Sequence, residues 1–130
     1  MHWYFGDGSA RDREYASKVL AEMEEETAFV PVTWGLEVAN VLARTETKGL
    51  LPKADSGAFI ERLDNMNIQV NANTFEYALS YTLQLARSYR LSAYDASYLE
   101  LALRLDIPLA TLDDGLKKAA KKAGVKIIAS

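Results

Sequence analysis

The chain contains no cysteine and only one histidine, His2, beside its first residue. Without cysteine it can form no disulfide, no thiolate nucleophile and no cysteine-ligated zinc site. A single histidine near a terminus effectively excludes a histidine-dependent catalytic triad and a metal site with two histidines. Any catalytic site in this sequence must therefore be built from other side chains, chiefly carboxylates.

A phosphate-binding loop, a membrane span and a signal segment are also missing. Gly6-Asp7-Gly8 matches neither nucleotide-binding fingerprint. The apolar runs are far shorter than the ~20 residues that span a membrane, and no signal segment opens the chain. We therefore expect a cytoplasmic protein with no membrane association. The net charge of −3 has the wrong sign for binding nucleic acid by bulk charge alone, but it suits a pocket of carboxylates that awaits a cation.

The pattern of apolar residues predicts an α/β fold in one domain over residues 1–130. Helices are predicted over residues 9–26, 33–48, 51–66, 74–89, 92–104 and 114–123, and strands over residues 28–32, 68–70, 108–112 and 125–128. Strands that alternate with helices indicate a parallel sheet covered on both faces. No strand is predicted before the first helix, because residues 1–5 are few and strongly aromatic. In the helix over residues 74–89, one face is predicted to carry Phe75, Leu79, Leu83 and Ala86.

Three acids, Glu37, Asp95 and Asp113, occupy similar places, each just after a predicted strand or in the first turn of a predicted helix. Carboxylates that converge from several element ends suggest divalent-metal chemistry on phosphate. Glu37 could simply interact with the helix dipole. Its helix is apolar nearly all round, however, and a carboxylate buried there would need a partner or a metal ion.

Asp95 and Asp113 each have a competing structural explanation. Ser92 and Asp95 form an S-x-x-D capping pattern, and Asp113 could be a helix N-cap in competition with Asp114. In open α/β sheets, however, ligands bind beyond the carboxyl ends of strands, where Asp113 is predicted to lie. Thr111 could point its hydroxyl at the same site or at the core.

Two further groups of side chains receive structural interpretations. The predicted last helix has a basic face, which is usually solvated but can contact phosphate, formed by Lys117, Lys118, Lys121 and Lys122. Four tyrosines are interpreted as core and interface residues rather than as a base-stacking platform: Tyr77, Tyr81, Tyr94 and Tyr98.

Residues 34–42 (WGLEVANVL), 91–102 (LSAYDASYLELA) and 109–113 (LATLD) together resemble the PIN-domain family. The resemblance extends from Trp3 onward and is closest to the VapC toxins of bacterial and archaeal toxin–antitoxin pairs. It implies a Rossmann-like parallel sheet of about four to five strands flanked by helices. It also implies a Mg²⁺- or Mn²⁺-dependent endoribonuclease, an RNA substrate, a cognate antitoxin peptide that occupies the groove, and a homodimer.

The same resemblance assigns roles to four positions. Glu37, Asp95 and Asp113 look like three of the family's four acids, and Thr111 looks like its accessory hydroxyl. The resemblance implies that the acids hold one or two metal ions, which activate water for attack on an RNA phosphodiester and neutralise the developing charge.

The beginning of the chain departs from the family's pattern. Family members usually begin with an apolar central strand that ends in Asp-x-Ser and is followed by a short apolar helix, whereas residues 2–5 resemble the end of that helix. The first strand and the fourth acid are therefore expected upstream of Met1. Asp7-Gly8-Ser9 spells the motif, but charged residues follow it, so it is interpreted as coincidental. A three-acid site should bind metal weakly, and residues 1–5, another chain or nothing could fill the gap in the sheet.

Two other functions remain open. A catalytically inactive PIN domain could still bind an antitoxin-like peptide or dimerise, and Mn²⁺ would not change its thermal stability. A receiver-like phosphoacceptor domain also gathers acids at strand ends. It would want an acidic pair after its first strand and a lysine after its last, and neither is found.

Overall fold

The computed structural model describes residues 2–3 and 27–128, with side chains described for 27–128. Helices and short strands alternate along it, in this order: β1 (His2–Trp3), β2 (Thr27–Pro31), α1 (Trp34–Thr47), α2 (Lys53–Asp64), β3 (Asn67–Asn71), α3 (Thr74–Tyr77), a π turn (Ala78–Thr82), α4 (Leu83–Tyr89), α5 (Ala93–Leu105), β4 (Leu109–Ala110) and α6 (Asp114–Lys122). The predicted helix over residues 9–26 and the Asp7-Gly8-Ser9 segment lie outside the described residues. The α/β class is confirmed.

Every described strand pairing is parallel, as predicted. β2 pairs with β3 from Thr27 opposite Asn67 to Pro31 opposite Asn71, and β1 pairs with β4. β1 also lies in contact with β2. An isolated parallel bridge between Leu109 and Ile127 continues the sheet beyond β4.

The prediction that no strand precedes the first helix was wrong. His2–Trp3 forms β1 and pairs with β4. Aromatic residues favour strands, and the main chain of β4 offers unpaired N–H and C=O groups to any extended neighbour. His2 and Trp3 therefore pair in the sheet, as in the alternative in which residues 1–5 fill the gap. The expectation of a further strand upstream of Met1 stays a prediction.

The strand predicted over residues 125–128 is reduced to its one bridge, and the strand predicted over 108–112 to the two residues of β4. Both hydrogen bonds of the bridge involve Leu109, whose N–H donates to Lys126 O at 2.9 Å and whose carbonyl accepts from Ile128 N at 2.9 Å. Because β4 is so short, it offers residues 125–128 no further main-chain group with which to pair.

Helices cover both faces of the sheet. Leu109 and Ala110 are fully buried, and because successive strand residues point to opposite faces they enter different core clusters. Ala110 packs in the cluster formed with α1, α2 and β2, whereas Leu109 packs in the cluster formed with α5 and α6. Trp34 contacts both clusters from the start of α1. The first turn of α1 is therefore anchored beside β4.

The helix predicted over residues 74–89 is interrupted by the π turn, and its predicted face is wrong. Phe75 and Leu79 are 84% and 83% exposed, whereas Thr82 is buried. A π turn takes an extra residue, which rotates the residues before it relative to those after it. An α-helical projection therefore assigned the first half of this segment to the wrong side. None of the helices in the described part of the chain is long and apolar enough to cross a membrane.

Candidate active site

Glu37 lies in the first turn of α1 and is half-buried. Its Oε2 atom accepts a hydrogen bond from the hydroxyl of Tyr98, which is fully buried in α5. The pKa of Glu37 is raised, because burial disfavours the carboxylate; the Tyr98 hydrogen bond opposes this effect and the charge of Asp95 adds to it. A buried hydroxyl therefore fixes the orientation of a carboxylate whose charge is poorly solvated.

The prediction that α1, apolar nearly all round, is a buried helix was partly wrong. Val38, Val41 and Leu42 face the core, but Leu36 is 75% exposed and Ala39 is exposed as well. One side of the helix is therefore apolar and open to solvent, next to Glu37.

Asp95 lies in the first turn of α5, and both of its predicted roles are compatible with the structure. Ser92 caps the helix, and its Oγ accepts from the Asp95 N–H at 3.1 Å. The pKa of Asp95 is raised by burial and by the charge of Asp113, while a hydrogen bond with Ser92 lowers it. Beyond the first turn, residues 96–102 are buried, so α5 runs inside the fold. Asp95 therefore lies at the solvent-facing N-terminal end of a buried helix.

Asp113 is the N-cap of α6, and Asp114 is exposed in the first turn. Oδ2 of Asp113 accepts from the Leu116 N–H at 2.7 Å, and the Asp113 N–H donates to Thr111 Oγ1 at 3.1 Å. Thr111 is fully buried at the end of β4. Its hydroxyl oxygen therefore holds the main chain that carries Asp113, rather than standing free at the site.

The three predicted acids are linked electrostatically in a row, Glu37 to Asp95 and Asp95 to Asp113. The charge of Asp95 acts on Glu37 and the charge of Asp113 acts on Asp95, although the three are supplied by three different helices. Within residues 27–128, no three acidic, histidine or cysteine side chains form a ready-made metal cluster. Each outer acid is turned toward a protein donor, Glu37 toward Tyr98 and Asp113 toward the N–H of Leu116.

The chemistry of this donor set suits a hard divalent cation. Mg²⁺ and Mn²⁺ favour carboxylate oxygens, and a cation placed among the acids would offset the burial and the repulsion that together raise the pKa values of Glu37 and Asp95. The ion pair that joins Arg104 to Glu100 involves none of the three acids. The residues present therefore fit a metal-binding role.

Tyr98 is the site residue that the sequence interpretation missed. The sequence groups it with three other tyrosines as core and interface residues, and its ring is fully buried. Tyr98 follows Asp95 by three residues on one helix, and residues three apart share a face. That spacing was the available signal. Tyr81 and Tyr94 are 66% and 61% exposed, so neither lies in the core, and their place at an interface stays a prediction.

A family model for the PIN domain matches residues 2–122, nearly the whole chain. The chain belongs to the PIN-domain family. PIN domains are generally nucleases and generally use divalent metal ions, so the fold is of a nuclease type. This family assignment replaces the receiver-like alternative. No curated protein matches the chain significantly.

Proposed function

We propose that this PIN domain is a Mg²⁺- or Mn²⁺-dependent endoribonuclease of the VapC-like, toxin–antitoxin type. The observation that supports the proposal is that the first turns of α1 and α5 and the N-cap of α6 bring Glu37, Asp95 and Asp113 close enough for the charge of Asp95 to act on Glu37 and that of Asp113 to act on Asp95. These three residues would hold the metal. A bound divalent cation supplies charge that stabilises the phosphodiester oxygens and lowers the pKa of the attacking water.

The chain's own residues position that set of ligands. Tyr98 orients the Glu37 carboxylate through its hydrogen bond, and Thr111 holds the backbone N–H of Asp113. Both positioning residues are fully buried, so their side chains have little freedom to move. The dipoles of α5 and α6 also favour negative charge at their N-termini, where Asp95, Asp113 and an incoming phosphate would lie.

Cleavage of a mixed, structured RNA with Mg²⁺ or Mn²⁺ tests the proposal. Asp95→Asn removes the central charge of the row and should abolish cutting. Asp106→Asn is the matched control, because Asp106 is exposed at the other end of α5 and its left-handed conformation (φ 54°) suits asparagine. Metal-dependent cutting that persists in the control and disappears in Asp95→Asn supports the proposal. Equal activity in both variants would show that the three acids do not take part in cleavage.

A second function, a catalytically inactive PIN domain that binds a peptide or dimerises, is favoured by two observations. The described acids form no three-ligand cluster, and large apolar side chains stand exposed at Leu36, Phe75 and Leu79. Thermal unfolding with and without Mn²⁺ separates the two functions. An active site should be stabilised by the ion in the wild type and not in Asp95→Asn, whereas an inactive module should not respond in either.

The antitoxin peptide, the homodimer and the cytoplasmic location are parts of the same proposal. An apolar groove of about 410 Å³ between α1, α2 and β3 supports a peptide partner, since it is lined by Val38, Ala39, Ile60 and Val70 among others and begins at the turn that carries Glu37. Sedimentation of the purified chain tests the dimer. Co-purification with the product of a neighbouring reading frame tests the antitoxin.

A further inference from the structure

The three helices that carry the acids begin in two different ways. In α5 the Oγ of Ser92 accepts from the Asp95 N–H. In α6 the carboxylate of Asp113 accepts from the Leu116 N–H. Thr33, the N-cap of α1, makes no such side-chain bond within the described helix, so α1 lacks the cap that fixes the other two. The main chain at the start of α1 therefore depends on contacts outside its cap.

Thr74, the first residue of α3, bridges the ends of β2 and β3 with one hydroxyl. The last register pair of these strands is Pro31 opposite Asn71, so the Val32 N–H lies just beyond the ladder. Thr74 Oγ1 accepts from that N–H at 3.1 Å. The same hydroxyl donates to the Asn71 carbonyl at 3.0 Å. The side chain of Thr74 therefore continues the pairing of the two strands by one more residue.

The turn that Thr74 holds leads directly into the first turn of α1. Val32 is followed by Thr33, whose carbonyl accepts from the Glu37 N–H at 3.1 Å. This is the first hydrogen bond of the helix, because an α-helical N–H bonds the carbonyl four residues earlier and Thr33 is the N-cap. A shift of the main chain at Val32 is therefore passed on to the residue that carries the Glu37 carboxylate.

The Asn71 end of this bridge is itself fixed by side chains. Asn71 Oδ1 accepts from Arg104 Nη2 at 3.2 Å. Arg104 is paired in turn with Glu100, which is buried in α5. The hydroxyl of Thr74 therefore connects the turn at Val32 to a helix that runs inside the fold and has little freedom to move.

We propose that Thr74 is a positioning residue for the acidic row: its hydroxyl fixes the main chain that enters α1 and thereby places the Glu37 carboxylate. Thr111 acts on Asp113 in the same way, because its Oγ1 accepts from the Asp113 N–H. Tyr98 orients the carboxylate of Glu37, whereas Thr74 fixes the backbone from which that carboxylate extends. This role rests on the proposed metal-dependent function, to which it adds a residue from a fourth helix.

Amide hydrogen exchange in EDTA tests the placement of the main chain without metal or RNA. Thr74→Val nearly keeps the shape of the side chain and removes both hydrogen bonds, so the Glu37 amide should exchange roughly tenfold faster. Thr74→Ser keeps the hydroxyl and should restore an exchange rate close to that of the wild type. The matched control is Thr27→Val, which removes a half-buried hydroxyl from the other end of the same two strands, where it accepts from Asn67 Nδ2 at 2.7 Å. The control should leave exchange at Glu37 unchanged.

Titration with Mn²⁺ tests the consequence for the acidic row. Thr74→Val should raise the dissociation constant for Mn²⁺ roughly tenfold, as the loss of a group that orients a metal ligand commonly does. Thr74→Ser and Thr27→Val should bind Mn²⁺ as the wild type does. Urea unfolding in EDTA separates placement from general destabilisation, because both valine variants should unfold at lower urea than the wild type and only Thr74→Val should lose metal affinity.

Two results would overturn the role of Thr74. Unchanged exchange at the Glu37 amide in Thr74→Val would show that the start of α1 is fixed without the bridge. An equal loss of Mn²⁺ affinity in Thr27→Val would show that the loss follows from a looser strand pair rather than from the placement of Glu37. A wild type that binds no Mn²⁺ would instead refute the proposed metal-dependent function, while the exchange rates, measured without metal, would still decide whether Thr74 places Glu37.

Discussion

The hydroxyl of Tyr98 donates a hydrogen bond to Oε2 of Glu37 across 61 residues of sequence. The bond ties the buried helix α5 to the first turn of α1, and it lowers the pKa of Glu37 against the opposing effects of burial and of Asp95. One side chain therefore both packs the core and prepares a carboxylate for ligand binding.

Removing that hydroxyl should weaken both stability and metal binding. Tyr98→Phe leaves the ring in place but takes the donor from Glu37, so the pKa of Glu37 rises further and less of it is ionised. We expect a loss of about 1 kcal/mol of unfolding free energy, since Glu37 is only half-buried and water can replace part of the bond. Urea unfolding and Mn²⁺ titration measure the two effects. Tyr94→Phe, which removes an exposed hydroxyl from the same helix, should change neither, and an equal loss in that control would contradict the explanation.

The metal-free protein should become less stable as pH rises. Glu37 and Asp95 have folded-state pKa values above 4.5 and 3.8, so between those values and the raised ones the folded state binds more protons than the unfolded state. Stability therefore falls as pH rises through that window and stays lower at neutral pH. Asp95→Asn should flatten this dependence and raise the Tm at pH 7 by a few degrees. Thermal scans in EDTA at several pH values test this prediction. An Asp95→Asn variant whose Tm at pH 7 lies below that of the wild type would refute it.

Two substitutions should distinguish the capping role of Asp113 from the role of its charge. Asparagine can still accept from the Leu116 N–H, so Asp113→Asn should keep its stability while losing metal binding and cleavage. Asp113→Ala loses the cap too and should cost about 1 kcal/mol in addition. Chemical denaturation beside a cleavage assay distinguishes the two substitutions. Equal destabilisation by asparagine and alanine would show that the charge, rather than the cap, stabilises α6.

The pair formed by Glu100 and Arg104 should affect stability without affecting the site. Glu100 is 5% exposed, and Arg104 donates to both of its carboxylate oxygens while also bonding Asn71 and lying over the ring of Tyr77. Arg104→Met leaves the buried Glu100 carboxylate without its partner and should lower the free energy of unfolding by about 3 kcal/mol. Adding Glu100→Gln should recover much of that loss.

Urea unfolding of the single and double variants gives the coupling energy of the pair. Arg87→Met is the control, because Arg87 is exposed in α4, and it should be nearly neutral. A double variant no more stable than Arg104→Met alone would mean that the arginine contributes through Tyr77 and Asn71 rather than through Glu100.

The helices were the most predictable part of the fold because their ends are encoded locally. Ser92 caps α5, Gly49 takes up the left-handed conformation just past α1 (φ 71°), and Gly124 does the same past α6 (φ 83°). β1 was not predictable, since a two-residue segment becomes a strand only when an unpaired neighbour such as β4 is near. The π turn was not predictable either, because it changes the helical period on which the projection depends.

The three acids could be selected from sequence because they stand at element ends, where a fold of this class places ligands. Their mutual arrangement could not be predicted. Whether Thr111 faces the site or the core depends on where the Asp113 N–H points, and the contact of Tyr98 with Glu37 depends on packing between α1 and α5. Local patterns identify which residues can take part, whereas tertiary packing decides which of them touch.

The π turn over Ala78–Thr82 amounts to a one-residue insertion in what would otherwise be a continuous helix. Losing one residue there would rotate the preceding turn by about 100° while leaving α4 seated on α5. Phe75 and Leu79 would then leave the outward orientation that they now have. The one extra residue of the π turn thus sets which way this apolar pair faces.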